Sequence, residues 1–451
     1  MSIKSRLFSQ STIIFAVRVF GAAIIVLAQA GIARLWGGAV LGQYLLVIAV
    51  VNLVAMFMPL GFHTIGSYFA AEYRAKGRRS LLWRFLLRAY SHVALATIGV
   101  LALALVLVFF HGNGLPDIAR YWMQAAILAA ATAIIFVNGA LLVGLKRPFA
   151  GFFADGLFRP MLVIAAFVLA AAGGAGEARL GVMLWIFALC YCLVALGHFF
   201  FVLAAMKTVP DIYEDLVADD LMPGKSEVAR WWRFAMPWVL IAVASGFFFD
   251  IDLLLLSGLM ERETLAVFGV SARIFSLMAF GISAVYALVL PDIFEQAANG
   301  KMAEFHRQLG EANLVATGLS LIMFVGILIG GPLILMLFGP AFAVGAIPLA
   351  VLSLVLVVRS VLGPGDLVLS INEKPWASLP AIVLGLGALI VANVVLVPAL
   401  SLLGAALAAL IAFAVWSGVL WLTARQIAQI DVSIFPAIAR WRRERKLINA
   451  R

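Results

Sequence analysis

Apolar runs of bilayer length recur from one end of this chain to the other, and they leave little choice of fold. A helix crosses the hydrocarbon core with about 20 residues. Stretches of that kind read at 10–36, 40–62, 88–110, 119–144, 157–174, 179–206, 234–259, 264–291, 313–336, 345–371, 378–400 and 403–426. Composition agrees, with 65% hydrophobic and 12% charged residues and a mean hydropathy of +1.11. A soluble domain carries about twice that charge. Backbone groups in hydrocarbon need partners within their own segment, so the runs are helices, and the alternation of a membrane β-barrel is missing. The spacing predicts an all-α polytopic membrane protein of about 12 transmembrane helices.

Charge placement predicts orientation. With the N-terminus inside, the inner segments hold 25 of the 32 basic residues, Lys146, Arg147 and Arg159 together among them, and Arg18, Arg273 and Arg359 lie within helices. The outer loops hold only Arg34, Arg120, Arg179 and Arg262. That asymmetry is the positive-inside pattern, which places both termini in the cytoplasm. The net charge of +10 therefore describes loops facing an anionic leaflet and predicts membrane lipids, not nucleic acid, as partner. Lys4, Arg6 and "AQA" at 28–30 imitate a secretion signal, but Arg18 interrupts the apolar stretch and favours a retained first helix. Cys190 and Cys192, two positions apart on one helix, point apart and predict neither a disulfide nor a metal site.

The longest connection, 207–233, falls near the midpoint. It carries Asp211, Glu214, Asp215, Asp219 and Asp220, then a Pro-Gly break and a Trp-Trp-Arg interfacial anchor. "GKS" at 224–226 resembles the end of a P-loop, but the first glycine of that motif is Asp219 here, so the nucleotide reading fails. The expected organisation is a six-helix lobe at 1–206, a cytoplasmic linker at 207–233, a six-helix lobe at 234–426 and a basic tail at 427–451. The halves echo each other: "LWGGAVLGQY" is answered by "ETLAVFGVSA", and Glu72 and Gly77 by Glu295 and Gly300. Two parallel six-helix repeats are a transporter architecture with the substrate site between lobes.

The order of "ARLWGGAVLGQY", "PLGFHTIGSYFAAEYRAKG", "DLLLLSGLM", "AVFGVSARI", "LMLFGPAFAVGAIPLAVLSL", "GPGDLVLSINEKP" and "LVPALSLLGAALAALIA" resembles polysaccharide flippases of the Wzx (O-antigen) type. These belong to the multidrug/oligosaccharidyl-lipid/polysaccharide (MOP) exporter superfamily. The resemblance covers essentially the whole chain. It implies a bacterial inner-membrane protein that carries an undecaprenyl-pyrophosphate-linked glycan to the periplasmic leaflet by alternating access. It also implies work alongside a glycan polymerase and chain-length machinery. The family's usual tyrosine after the glycine of the eighth-run motif is replaced here at Val270–Ser271. The lipid II flippases of the superfamily generally have fourteen helices, more than are read here.

Ionic residues inside the runs are the candidate site. Each costs at least ~2.5 kcal/mol at the bilayer centre, so each should face protein, a cavity or a partner. Asp250 and Asp252 share the depth of Arg273 on the next run, and one aspartate is expected to pair with it. The two carboxylates lie about 200° apart around a helix, so one arginine does not serve both. Asp250 shares a face with Ala242, Gly246 and Ser257, and Asp252 with Ser245, Leu256 and Leu259. Either could face a cavity. Arg18 has no acid in the first two runs, so its counter-charge is either Asp250 across the lobes or the substrate's diphosphate. A guanidinium suits phosphate because its fork bonds two oxygens at once. Arg359 precedes a "GPG" break at 363–365 and is expected to associate locally with Asp366. Asp250, Asp252 and Asp366 are the ion-coupling candidates, and Arg18, Arg273, Arg359, Asn52 and Asn138 the substrate-cavity candidates. Asn52, Asn138 and Asn393 also suit interhelical hydrogen bonding. His63, His92, His111, His198 and His306 are scattered without metal spacing, so no metal and no cofactor is expected.

An enzyme is disfavoured, because a membrane polymerase or ligase needs an active-site loop and the outer loops are all short. A multidrug antiporter of the same superfamily is the alternative; its cation-favouring pocket sits poorly with three intramembrane arginines. "AAEYRAKGRRS" lacks the order of the major facilitator signature.

Overall fold

The computed structural model describes residues 3–111, 120–210, 225–372, 374–440 and 442. Its described residues are helical throughout, with no β-strand. Among them are ten helices long and apolar enough to cross a membrane, eleven when one bent pair counts as a single span. One of the ten, Trp376–Ile427, is long enough to hold two spans. The outer faces are rich in exposed apolar side chains, such as Leu193 at 69%, Ile329 at 76% and Leu333 at 70%. Water does not tolerate that density of exposed leucine and isoleucine; lipid does.

The chain divides into two compact units, Met1–Leu254 and Leu255–Arg451. The first contains α1 (Ile3–Trp36), α2 (Gly38–Phe57), α3 (Phe62–Ala75), α4 (Arg79–His111), α5 (Trp122–Gly144), α6 (Pro148–Phe153), α7 (Arg159–Ala171), α8 (Glu177–Met206), α9 (Lys225–Gly246) and the start of α10 (Phe248–Leu256). Between α6 and α7 lies a π-helical turn, Ala154–Phe158. Pro160 follows it; lacking an N–H, it leaves the Gly156 carbonyl without its helical partner, the usual origin of such a distortion. That carbonyl packs on Gly21 of α1, where a Cβ would stand 2.2 Å from it.

The expected division inside 207–233 is displaced in the structure, because α9 sits with the first unit. Trp231 is not an interfacial anchor: it is 1% exposed, among Phe62, Phe69 and Phe85. Its indole N–H donates to the Tyr73 hydroxyl at 2.6 Å, and Tyr73 donates to Glu227 at 2.6 Å. Edge-on ring pairs of this kind add about 0.5–1.5 kcal/mol each beyond their burial. Gly61 (φ +83) lets the α2–α3 turn approach so closely that a Cβ would stand 2.5 Å from the Ala235 carbonyl. α9 and α10 meet at a 59° bend, so the run expected at 234–259 is a broken one. The acids of the linker lie outside the described residues.

The second unit contains α11 (Arg262–Ala298), α12 (Met302–Met336), α13 (Ala346–Leu362), α14 (Gly365–Ile371) and α15 (Leu379–Ile427). The last is 49 residues long, about 70 Å at 1.5 Å per residue, more than twice the hydrocarbon thickness. It breaks at Ser401 (φ +47, ψ −124) after Pro398, between the two runs expected at 378–400 and 403–426. Counting both halves, and α9 with α10 as one, recovers twelve spans. The region 427–451, expected as a basic tail, is not all tail. Ile430, Val432, Ser433, Ile434 and Ala437 are buried against the second unit, and the Ile434 N–H donates to the Val361 carbonyl at 2.9 Å. That carbonyl lies at the end of α13, where the helix leaves it without an internal partner.

Candidate functional site

A chain of polar groups crosses the first unit at the level of the π turn. Asp155, inside that turn, and Arg159, just after it, are four residues apart, with Nη1 to Oδ1 at 3.2 Å. Arg159 is mostly enclosed, its side chain 13% exposed, while Asp155 is 46% exposed. The other arm of Arg159, Nη2, donates to Asn52 Oδ1 at 2.6 Å. The Asn52 amide then donates from Nδ2 to Asp250 Oδ1 at 3.1 Å. Tyr191 donates its hydroxyl to Asp155 at 3.5 Å. Asn52 thus stands between a cation and an anion, accepting from one and donating to the other, and it is 5% exposed. Hydrogen bonds to charged groups contribute about 1.5–3 kcal/mol each, and here they connect α2, α7 and α10.

Arg159 and Asp155 were not among the sequence candidates, because Lys146 and Arg147 nearby made Arg159 read as a third loop cation. The structure puts Arg159 inside an apolar stretch, Pro148–Ala171, long enough to cross the membrane. The i,i+4 acid–base spacing of "DGLFR" was the available signal.

The other candidates fall into separate settings. Arg18 on α1 is exposed, its guanidinium 4.6 Å from the ring centre of Phe152 on α6. No carboxylate pairs with it among the described residues. Asn138 is fully buried and accepts from the Tyr90 hydroxyl, which makes it a tie between α5 and α4. Asp252 is fully buried and Asp250 half-buried, on different faces of α10. Arg273, in the second unit, is half-buried on α11. Arg359 is exposed near the end of α13, 5.5 Å over the Phe413 ring, which itself stacks on Trp416 at 6.0 Å. Asp366 is exposed in the first turn of α14. The expected Arg359–Asp366 association is not an ion pair among the described residues. Gly363 (φ +79) and Pro364 end the helical repeat that would have put them on one face. Asn393 is 1% exposed within α15. Among the described residues no group of His, Cys, Asp and Glu could hold a metal ion.

A bundle of membrane-length helices with buried charges along its spans is the architecture of solute and lipid transporters. The solved structures similar to this chain belong to that class. An inward-facing multidrug-resistance MATE family transporter of the MOP superfamily superimposes with a TM-score of 0.67 at 16% identity, covering 92% of this chain and 97% of its own. A MOP superfamily transporter from Pyrococcus furiosus, described as having a binding pocket of reverse polarity, gives 0.64 at 16%, covering 92% and 95%. The lipid II flippase MurJ in an inward closed conformation gives 0.66 at 11%, covering 92% and 87%. The chain has the fold these MOP-superfamily transporters share. No protein-family model matches the sequence, and no curated protein matches it significantly.

Proposed function

We propose that the chain is a flippase that moves an undecaprenyl-pyrophosphate-linked oligosaccharide from the cytoplasmic to the periplasmic leaflet of a bacterial inner membrane. The observation that carries this reading is Arg18: an exposed guanidinium within a membrane-length helix, held over an aromatic ring and paired with no carboxylate among the described residues. An uncompensated cation at that depth is costly, and an anionic head offsets the cost. A diphosphate suits it best, because the planar fork bonds two oxygens at once. Arg359, exposed over Phe413, repeats the arrangement in the second unit.

The Asp155–Arg159–Asn52–Asp250 chain is the proposed coupling element. A proton or sodium ion arriving at Asp250 would cancel the charge to which the Asn52 amide donates and weaken that bond, changing what holds α10 to α2 while Arg159 keeps Asn52 and Asp155. The multidrug antiporter is the second reading, favoured by the exposed Asp155 carboxylate, to which an organic cation could bind. Complementation of a strain lacking its O-antigen flippase, with membrane abundance measured in parallel, tests the first reading. Restored glycan export that Arg18→Ala removes at normal abundance supports it. Organic-cation efflux without glycan export would replace it by the second.

A further inference from the structure

The second unit holds a cavity of about 260 Å³ between the cytoplasmic-type end of α12 and the docked segment 430–440. Its polar lining is His306, Asp431, Ser433 and Arg440, and its apolar walls include Leu309 and Pro436. The size lies just under the ~300 Å³ at which drug-sized pockets begin. It is built into the fold. Asn313 donates to the Val432 carbonyl at 2.6 Å, and Gly363 lies so close to that oxygen that a Cβ would stand 1.8 Å from it.

Three polar groups converge here with valences left over. Asp431 receives all its hydrogen bonds on Oδ1: from Trp421 Nε1 at 2.8 Å, the Ser433 N–H at 3.0 Å and the Ser433 hydroxyl at 2.6 Å. Oδ2 takes none among the described residues. Burial alone would raise this carboxyl, but the bonds from Ser433 and Trp421 outweigh it and hold the group below its ordinary range, so it stays ionised. Arg440 uses one nitrogen, Nη2, to cap the His306 carbonyl at 2.7 Å, and its remaining donors have no partner among the described residues. His306 Nδ1 lies 2.5 Å from the Met302 carbonyl, so that nitrogen carries the proton. In the neutral ring Nε2 is then an acceptor. The cavity therefore offers a carboxylate oxygen and an imidazole lone pair as acceptors, and a guanidinium as donor.

We propose that this cavity holds a headgroup carrying both a phosphate and a primary ammonium, that of an aminophospholipid of the surrounding leaflet. Arg440 takes the phosphate, and Asp431 Oδ2 with His306 Nε2 takes two of the ammonium's three N–H bonds. The position fits. His306 lies about one turn inside the first residue of α12, ahead of the apolar run expected from 313, and at 1.5 Å per residue that is roughly 10 Å outside the run, where a headgroup would sit. The neighbouring charges of that turn are already engaged, Arg307 binding Glu304 at 2.5 Å and Glu311 at 3.1 Å.

The test is thermal unfolding of the full-length protein in nanodiscs of phosphatidylethanolamine, its N-monomethyl form, phosphatidylcholine or phosphatidylglycerol, with identical acyl chains. The site predicts melting several degrees higher in phosphatidylethanolamine than in phosphatidylcholine, whose quaternary nitrogen has no N–H, with the monomethyl lipid between. Asp431→Asn and Arg440→Gln should each remove most of that difference, and Arg440→Lys should keep part of it. Free phosphoethanolamine added to phosphatidylcholine discs separates the sources. No shift there leaves the lipid as ligand, and an equal shift assigns the same site to the soluble phosphate ester. Equal melting in phosphatidylethanolamine and phosphatidylcholine would overturn the proposal, as would a difference that both variants retain. Stabilisation by phosphatidylglycerol alone would also overturn it, because that lipid has no ammonium.

Discussion

Asn52 and Asp250, 198 positions apart in the chain, are joined by a 3.1 Å hydrogen bond from amide to carboxylate. The bond attaches the broken helix α9–α10 to the C-terminal third of α2, and the same amide accepts from Arg159 on its other side. Removing it is predicted to expose the size of that attachment. Asn52→Leu leaves a guanidinium and a carboxylate without a shared partner and should destabilise by about 2–4 kcal/mol. Asn52→Gln, which keeps both functions one methylene further out, should cost less. Folded yield and thermal unfolding in detergent check the order. Equal stability of Asn52→Leu and the parent would show that the amide carries no weight.

A second attachment lies at the start of α9 and predicts a pH dependence. Arg230 binds Glu72 at 2.6 Å and Glu227 at 3.3 Å, and Lys76 binds Glu72 at 2.6 Å. The hydrogen bond from Arg230 is the main cause that holds the Glu72 carboxyl below its ordinary 4.5. A carboxyl lowered in the folded protein contributes stability that is complete above the ordinary value and is lost as pH falls through the lowered one. The parent should therefore melt higher than Glu72→Gln at pH 7, and the gap should close as the pH falls below 4.5. A gap that stays constant down to pH 3 would contradict this.

Gly363 predicts a steric effect. Its φ of +79 with extended ψ is a conformation for glycine alone, and a Cβ would collide with the Val432 carbonyl. Gly363→Ala should cost about 1–3 kcal/mol from backbone strain and displace the docked segment. A cysteine at Ala437, in a background lacking Cys190 and Cys192, should label slowly in the parent and quickly in Gly363→Ala. Equal labelling would mean that the segment holds without this contact.

The spans were legible in the sequence because lipid imposes apolar length on every crossing helix, and the break at Ser401 fell where two runs had been read apart. Breaks inside a run were less visible. The bend between α9 and α10 carries no proline at its corner, and "GFFFD" is as apolar as what surrounds it. Arg159 was hidden by its neighbours: beside Lys146 and Arg147 a third cation reads as loop, and although its i,i+4 spacing to Asp155 is local, its partner Asn52 comes only from folding. The alternation of Ile430, Val432 and Ile434 was a signal of burial that the basic residues after Ala439 obscured. The charged residues singled out inside runs do lie on membrane-length or adjoining helices. Their grouping followed the breaks in the helices, which residue spacing along one continuous helix did not convey.

Orientation is testable without any assay of transport. Reporter fusions after Ala75, Met222 and Ala450 should report cytoplasm, and fusions near Gly112 and Glu177 should report periplasm. A periplasmic C-terminus would contradict an even number of spans.

The most direct measurement is translocation of a fluorescent polyprenyl-diphosphate oligosaccharide in vesicles containing the purified protein. The account predicts that the parent moves the lipid between leaflets, and that Arg18→Ala and Arg18→Lys, at equal reconstituted amounts, lose at least tenfold in rate, the lysine variant because it lacks the bidentate fork. Undiminished translocation by Arg18→Ala, or none by the parent in the presence of a proton or sodium gradient, would contradict it.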